Sequence, residues 1–136
     1  MDKKKFLYDF ISKRKLGVIA TVTLDGKPEA AVMEVAVTPE LELIIDTANT
    51  TRKYINLKHN PHIAFAFGWE AWDTVQYEGI AHELVGEERE KYRTIFLAKH
   101  PDAKKWDALP ETTYFTVVPT WVRYSAMDQE PWVIAF

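Results

Sequence analysis

Two adjacent basic residues, Arg52 and Lys53, lie where a β-like run of the sequence gives way to a helix-like run. The first turn of a helix already carries a partial positive charge and unpaired N–H groups, so basic side chains there are mildly unfavourable without an anion. Thr51, directly before them, can cap the helix or donate a hydrogen bond to the same anion. The pattern predicts an anion-binding site; a solvated basic turn with a threonine cap is the alternative.

The other reactive side chains do not form a recognisable catalytic constellation. Ser12 and Ser125 lie outside any Gly-x-Ser-x-Gly elbow, and the sequence has neither a Walker loop nor Gly-x-Gly-x-x-Gly. The absence of cysteine excludes disulfides, thiolate catalysis and cysteine-based metal sites. Four histidines lack metal-ligand spacing, so we expect each in a loop or on the surface and predict no metal site: His59, His62, His82 and His100. If the chain is an enzyme, its reactive group should come from a cofactor.

Length and composition limit the class of protein. With 136 residues, 47% of them hydrophobic and 13% aromatic, the chain is expected to fold as one globular domain over residues 1–136. Its net charge of −3 provides no global basic field to attract nucleic acid or an anionic membrane. The apolar run after the N-terminal lysines is too short for a signal peptide, and no run approaches the roughly 20 residues that span a bilayer. We therefore expect a soluble cytoplasmic protein.

The elements that position the basic pair follow from hydrophobic periodicity and turn signals. Helices are predicted at residues 2–14, 51–59, 86–98 and 103–109, and strands at residues 16–22, 28–37, 41–45, 63–67, 74–84 and 114–118. Asp25-Gly26 predicts a hairpin turn, Gly79 a bulge, and Pro119 the end of the last strand. Tight turns between consecutive strands favour antiparallel pairing. The prediction is a mainly β fold, with about six antiparallel strands in a small barrel and helices at its periphery.

The faces of these elements differ in polarity. Several strands, such as that in residues 28–37, carry apolar side chains on both faces, whereas an antiparallel strand normally leaves one face wet. We therefore expect the helices or a second subunit to cover the outside of the barrel. On the helix at residues 86–98, three carboxylates predict a solvated face: Glu87, Glu88 and Glu90.

A longer motif extends from the basic pair towards the C-terminus. Residues 47–53, Thr-Ala-Asn-Thr-Thr-Arg-Lys, are followed by Asn60-Pro61 and by an apolar strand that ends in Phe-Gly-Trp at residues 67–69. This order resembles the pattern Thr-x-x-x-Ser-Arg-Lys, Asn-Pro, Phe-Pro-Trp of the FMN-binding split-barrel family, the pyridoxamine 5′-phosphate oxidase-like proteins. Thr51 stands where serine is usual and Gly68 where proline can occur. The resemblance covers residues 16–84, and the C-terminus more loosely; it implies a homodimeric six-stranded antiparallel split β-barrel with FMN at the subunit interface.

The resemblance assigns the anion and the residues around it. Thr51, Arg52 and Lys53 would hold the FMN phosphate, in agreement with the anion inferred from the residues alone. Asp46 and Thr47 would flank the ribityl chain or the ring. These five residues all lie within residues 46–53, where the predicted helix begins.

Other segments would complete the site. Thr74 would contact the flavin from the neighbouring subunit, although an ordinary strand threonine fits the sequence equally well. Trp121 and Arg123 would lie near the ring edge, and a lone tryptophan is also common in core packing. The second strand would line the isoalloxazine ring largely through its backbone, at Ala31, Val32, Met33 and Glu34.

Two departures from the family concern the substrate. The true pyridoxamine phosphate oxidases carry a C-terminal Arg-x-His element, whereas residues 121–126 read Trp-Val-Arg-Tyr-Ser-Ala. Ala31 stands where those oxidases carry an arginine. The resemblance therefore implies an FMN-dependent oxidoreductase acting on an unidentified small molecule, rather than a true pyridoxamine phosphate oxidase. A deazaflavin-dependent reductase, a non-catalytic flavin or heme store or sensor, and a site for a pterin-like or nucleotide anion remain open.

Overall fold

Eight strands and four α-helices make up the computed structural model, which describes residues 1–136. The strands are β1 Leu16–Val22, β2 Pro28–Glu34, β3 Ala36–Val37, β4 Leu43–Ala48, β5 His62–Phe67, β6 Thr74–Glu83, β7 Thr112–Ala126 and β8 Gln129–Ala135. The helices are α1 Lys3–Ser12, α2 Arg52–His59, α3 Gly86–Lys99 and α4 Lys104–Asp107, with a 3₁₀ turn at Pro101–Ala103. Asp2 caps α1 by accepting a hydrogen bond from the backbone N–H of Lys5. No helix is long and apolar enough to cross a membrane.

All strands belong to one curled antiparallel sheet, ordered β2-β1-β5-β6-β7-β4-β3, and β8 pairs with β7. This confirms the predicted fold class, a mainly β split barrel with helices around it. The sheet has eight strands rather than six. One extra strand arises because the predicted strand at residues 28–37 divides at Val35, so that β2 pairs with β1 and β3 with β4.

The other extra strand follows from Pro119, which does not end β7 as predicted. The β6–β7 register shifts between Glu78 and Gly79, so Gly79 pairs with Pro119 and Glu78 with Trp121. Proline lacks the N–H that a regular ladder needs, and the shift places it beside an irregularity where the ladder is already interrupted. The predicted bulge at Gly79 is confirmed, and it is what allows β7 to continue and β8 to pair with it.

Alternate side chains of the strands point into a main core. In one register row, Ile19, Phe65, Tyr77 and Val122 are each at most 3% exposed. Helices α1 and α2 close this core, for example through Leu7 and Leu57. A second core forms where α3 packs on the opposite face of β4 and β7, with Phe96 against Tyr114.

The rest of that opposite face, here called the outer face, is not covered by the chain. Val32 remains 61% exposed and Val133 42% exposed. The face is built from two register rows that cross six strands: Ala30, Ala20, Ala64, Glu78, Trp121 and Ala135, and then Val32, Val18, Ala66, Gln76, Arg123 and Val133. Helix α3 thus covers only part of the outside, and a largely apolar surface is left over.

Candidate cofactor site

Thr51 caps α2, which begins at Arg52. Its hydroxyl accepts a hydrogen bond from the backbone N–H of Tyr54 at 3.2 Å and donates to the carbonyl of Ala48 at 3.0 Å. The hydroxyl of Thr47 lies 2.7 Å away. A hydroxyl has one hydrogen, and Thr51 directs it to the carbonyl of Ala48. In this arrangement Thr51 caps the helix and does not donate to an anion. The backbone N–H groups of Arg52 and Lys53, at the next two positions, donate to no group of the chain.

Arg52 and Lys53 lie in different environments. The Arg52 side chain is 76% exposed, and its guanidinium lies 3.0 Å from a carboxylate oxygen of Glu29. The other oxygen of Glu29 accepts a hydrogen bond from the amide of Asn56 at 2.9 Å, which fixes that carboxylate beside α2. Lys53 is half-buried and forms neither a salt bridge nor a hydrogen bond.

Two cavities meet at Lys53. The smaller, of about 130 Å³, lies over β1 and β2 and is lined by Ile19, Thr21, Glu29, Ala30, Ala31, Arg52 and Lys53. The larger, of about 320 Å³, lies between the end of β4 and the segment after α4, and is lined by Met33, Asp46, Thr47, Ala48, Lys53, Trp106, Leu109, Glu111 and Thr112. The first is polar at its α2 end, and the second offers flat apolar surface from Trp106 and Leu109. The unpaired ammonium therefore reaches a polar compartment and a mostly apolar one.

Asp46 is one of the ionisable side chains that line the larger cavity, with Lys53 and Glu111. Burial, and secondly the negative charge of Glu34, raises the pKa of Asp46 from its ordinary value of 3.8 to about 6, while Lys53 acts in the opposite direction. A carboxyl group with this pKa is partly protonated near neutral pH. Asp46 can therefore hold or release a proton beside the cavity.

The four predicted residues of β2 separate into two pairs. Ala31 and Met33 line the cavities. Val32 points to the outer face instead, and Glu34 lies in an ionic cluster with Lys15 and His100, at 3.5 and 3.2 Å. Neither side chain lines the two cavities, as expected from the alternation of a strand.

Thr74, Trp121 and Arg123 also lie away from the two cavities. They occupy alternate positions of β6 and β7 on the outer face, and Trp121 lines a groove of about 240 Å³ there with Ala20 and Ala64. That face is opposite to the one carrying Ile19 and Ala31, so within one chain these residues do not share a cavity with Lys53. Their predicted contact with a flavin needs a second subunit and stays a prediction.

The sequence reasoning missed residues on both sides of the site. Trp106 and Leu109 line the larger cavity, and the only local signal was a large aromatic side chain in a short polar segment. Glu29 and Asn56 hold Arg52 in place through contacts that join β2 to α2. No sequence periodicity reports such a contact between distant elements.

His100 lies between α3 and the 3₁₀ turn, in agreement with its predicted place in a loop, but it is buried rather than at the surface. It is 1% exposed, with Nε2 3.0 Å from the carbonyl of Val35 and Nδ1 3.2 Å from Glu34. Glu34, His100 and Asp102 bring their ligand-type atoms within 4.8 Å of one another. The ammonium of Lys15 lies 3.5 Å from both carboxylates and offsets their charge.

The family model described as pyridoxamine 5′-phosphate oxidase matches residues 4–126. The chain belongs to this family. The match contains nearly all of α1, the residues of the two cavities and the Pro119 bulge, and it confirms the resemblance inferred from the motif at residues 47–53. A comparison with curated proteins found no significant match. FMN itself is not established by the family membership and stays a prediction.

Solved structures share the fold of this pyridoxamine 5′-phosphate oxidase family member over nearly its whole length. A heme binding protein from Mycobacterium smegmatis has a TM-score of 0.89 at 16% identity, over 99% of this chain and 58% of that one. ChuZ from Campylobacter jejuni has a TM-score of 0.83 at 16% identity, over 98% of this chain and 59% of that one. General stress protein 26 from Bacillus anthracis has a TM-score of 0.77 at 22% identity, over 98% and 100%. The chain spans about three-fifths of the first two proteins, and at these identities the likeness is one of fold.

Proposed function

We propose that the chain binds FMN in the two cavities that meet at Lys53 and acts as an oxidoreductase on a small molecule. The observation that carries this proposal is the half-buried, unpaired ammonium of Lys53. Asp46, which lines the same cavity, attracts this ammonium but makes no salt bridge or hydrogen bond with it, so an anionic ligand would supply the direct contact that the chain does not. The free backbone N–H groups at the start of α2 favour the same anion.

The residues present fit a ligand with a phosphate at one end and a flat ring at the other. Lys53, Arg52 and the α2 N–H groups would hold the phosphate, and Arg52 would be shared between the anion and Glu29, which also lines the smaller cavity. Met33, Trp106 and Leu109 would bind the ring in the larger cavity. FMN, when bound, supplies the capacity to accept and donate a hydride. Asp46, which can hold a proton there, is the residue of this chain suited to exchange a proton with the substrate.

The proposal includes a homodimer formed through the outer face. Its apolar rows are exposed in the single chain, and Thr74, Trp121 and Arg123 lie on that face. A partner subunit seated there would cover the apolar side chains and could bring these three residues to the cofactor. Obligate interfaces of this kind bury on the order of 2,000 Å² or more.

The substrate is proposed to differ from pyridoxamine 5′-phosphate. Ala31 lines the smaller cavity with a methyl group, so it offers no charge to a substrate phosphate. The cations that do line the cavities, Arg52 and Lys53, are already assigned to the cofactor phosphate. The substrate class and the electron donor are left open, and the cytoplasmic location expected from the sequence stays a prediction.

The visible absorption spectrum of the purified protein tests the cofactor. We expect a bound chromophore with the FMN spectrum, or saturable quenching of FMN fluorescence when FMN is added to the purified chain. Anaerobic addition of NADPH, NADH or pyridoxamine 5′-phosphate then tests turnover, because a reduced flavin loses its visible absorption. Rapid bleaching by pyridoxamine 5′-phosphate would contradict the substrate proposal, and no bleaching by any donor would leave a flavin-binding protein without this activity.

Heme is the second candidate, because the M. smegmatis neighbour is described as a heme binding protein. Met33 lines the larger cavity and carries a thioether that can ligate heme iron. No histidine lines either cavity, which disfavours heme relative to FMN. The same spectrum distinguishes heme, FMN and deazaflavin.

A further inference from the structure

A third cavity, of about 330 Å³, lies beside the N-terminal end of α3 and shares no residue with the two cavities at Lys53. Its walls come from the turn before β4, the end of β6, β7 and α3. Nothing in the proposed flavin chemistry uses it.

The charge of this third cavity is negative. Three carboxylates line it, from Glu42, Glu83 and Glu88, and no lysine or arginine does. Glu83 is paired with Lys58 at 3.2 Å, whereas Glu42 and Glu88 form no salt bridge. The half-buried carboxylate of Glu42 accepts the one hydrogen of the Tyr92 hydroxyl, which lies 2.9 and 3.1 Å from its two oxygens and orients the carboxylate without neutralising it. Two of the three carboxylates, the oriented Glu42 and the exposed Glu88, thus have no salt-bridge partner in the chain, and His82 completes the polar part of the lining.

Thr116 provides an independent sign of a missing partner. It is 6% exposed and lines the cavity, and its Oγ1 atom is buried without any hydrogen-bond partner. Its pairing with His82 places it on the face of the sheet that carries the cavity. Buried hydroxyl groups are normally hydrogen-bonded, so an unpaired one on a residue that lines a cavity suggests a ligand with N–H or O–H donors.

We propose that this cavity binds an organic ammonium ion with a short hydrocarbon stem, of the aliphatic diamine or polyamine class. The ammonium would donate hydrogen bonds to Glu42 and Thr116. The stem would lie on the apolar part of the wall, formed by Leu84, Val85 and Val118. A second ammonium, at the far end of the stem, would be attracted by Glu88.

A bare metal ion suits the cavity less well. Metal ligands must converge on one point, and the only such trio in the structure is Glu34, His100 and Asp102, none of which lines this cavity. The aliphatic part of the wall also makes no favourable contact with the water molecules around a hydrated metal ion. Charge without convergence, next to apolar surface, favours an alkylammonium.

Calorimetric titration with cadaverine and with spermidine tests this proposal. The protein used is the 136-residue chain, with FMN added to saturation if the chain binds FMN. We expect saturable binding of one amine per chain that magnesium ions do not displace. Glu42→Gln keeps an oxygen for Tyr92 and removes the charge, and it should weaken binding roughly tenfold or more. Thr116→Val should weaken binding about threefold or more without lowering the melting temperature, because the hydroxyl it removes has no partner.

Glu87→Gln is the matched control. Glu87 is exposed on α3, next to Glu88, and does not line the cavity. Its replacement changes the net charge as much as Glu42→Gln does and should leave the affinity within about twofold. The proposal would be overturned if neither amine bound saturably, if Glu87→Gln weakened binding as much as Glu42→Gln, or if Thr116→Val bound both amines as well as the unmodified chain. These outcomes do not depend on the flavin, because the cavities share no residue.

Discussion

Adjacent residues of the same charge make unequal contributions at the start of α2. Arg52 is exposed and its guanidinium forms a salt bridge with Glu29, whereas Lys53 is half-buried and has no salt-bridge partner. An arriving phosphate must compete with Glu29 for Arg52, whereas Lys53 has no salt bridge that the phosphate must replace. Lys53 is therefore expected to contribute more to phosphate binding than Arg52, a ranking that the Arg-Lys order alone does not reveal.

The first prediction concerns Lys53. Lys53→Ala removes a charge-assisted donor to a partly buried phosphate, so FMN should bind about ten- to a hundredfold more weakly. Riboflavin, which lacks the phosphate, should lose far less affinity. Fluorescence titrations with both flavins measure the two effects. Lys58→Ala is the control, since Lys58 lies on the same helix but pairs with Glu83. Equal weakening of FMN and riboflavin would show that Lys53 acts structurally.

The second prediction concerns Asp46. Its pKa is raised in the folded protein, so ionisation is easier in the unfolded chain and stability falls as the pH rises from about 4 to about 6. Asp46→Asn removes this penalty. In the absence of FMN, it should raise the free energy of unfolding by about 2 kcal/mol near pH 7.5 and by much less near pH 4. Denaturant unfolding at both pH values measures this; a gain that does not vary with pH would contradict the assignment.

At the scale of elements, local sequence signals predict where a strand or helix begins more reliably than they predict which strand pairs with which. The predicted bounds of β1 are confirmed, and α2 begins after the predicted threonine cap. The third strand was predicted to begin too early, at Leu41. Leu41 instead has a left-handed backbone, with φ of 67°, inside the turn before β4, although it is fully buried. The apolar side chain of Leu41 correctly predicts that the residue is buried, but it does not predict the backbone conformation.

The division of the second strand and the continuation of β7 have the same cause. Both depend on pairing between residues that are far apart in the sequence: β3 with β4, and Pro119 with Gly79. Proline near the middle of a strand normally predicts its end. Only the register of the partner strand shows that the missing N–H falls at a bulge.

The third prediction tests that bulge. A Cβ added to Gly79 would lie 2.5 Å from the carbonyl oxygen of Val118, which is backbone and cannot rotate away. Gly79→Ala should therefore reduce the free energy of unfolding by roughly 1–3 kcal/mol, as measured by denaturant titration. Gly26→Ala is the comparison: a Cβ there meets nothing within 4 Å, and only the φ of 87° opposes it. We expect a loss of about 1 kcal/mol at Gly26, and a smaller loss at Gly79 than at Gly26 would refute the close-approach argument.

At the scale of the whole molecule, the candidate site has one part that a single chain assembles and one part that it does not. Arg52, Lys53 and Asp46 were found from the sequence because they lie in one continuous segment around a helix start. Trp106 reaches the same cavity only through the fold. Thr74 and Trp121 lie on the outer face, so no account of one chain places them beside Lys53. Sequence pattern predicts the local part, whereas the rest depends on tertiary and quaternary contacts.

The final prediction concerns the outer face. If it is the surface of a homodimer, light scattering of the purified protein should give twice the chain mass. Ala66 is exposed near the middle of one register row, between Val18 and Gln76, so Ala66→Glu would bury a carboxylate in the interface and should give monomers.

The monomers should also bind FMN much more weakly, because the partner's contribution to the cofactor would be lost. Ala98→Glu introduces the same charge at an exposed position of α3, outside the two register rows of the outer face, and should leave both the mass and the affinity unchanged. An Ala66→Glu protein that stays dimeric would place the interface elsewhere. A monomer that binds FMN with full affinity would instead show that one chain supplies the whole site, and that Thr74 and Trp121 have no part in it.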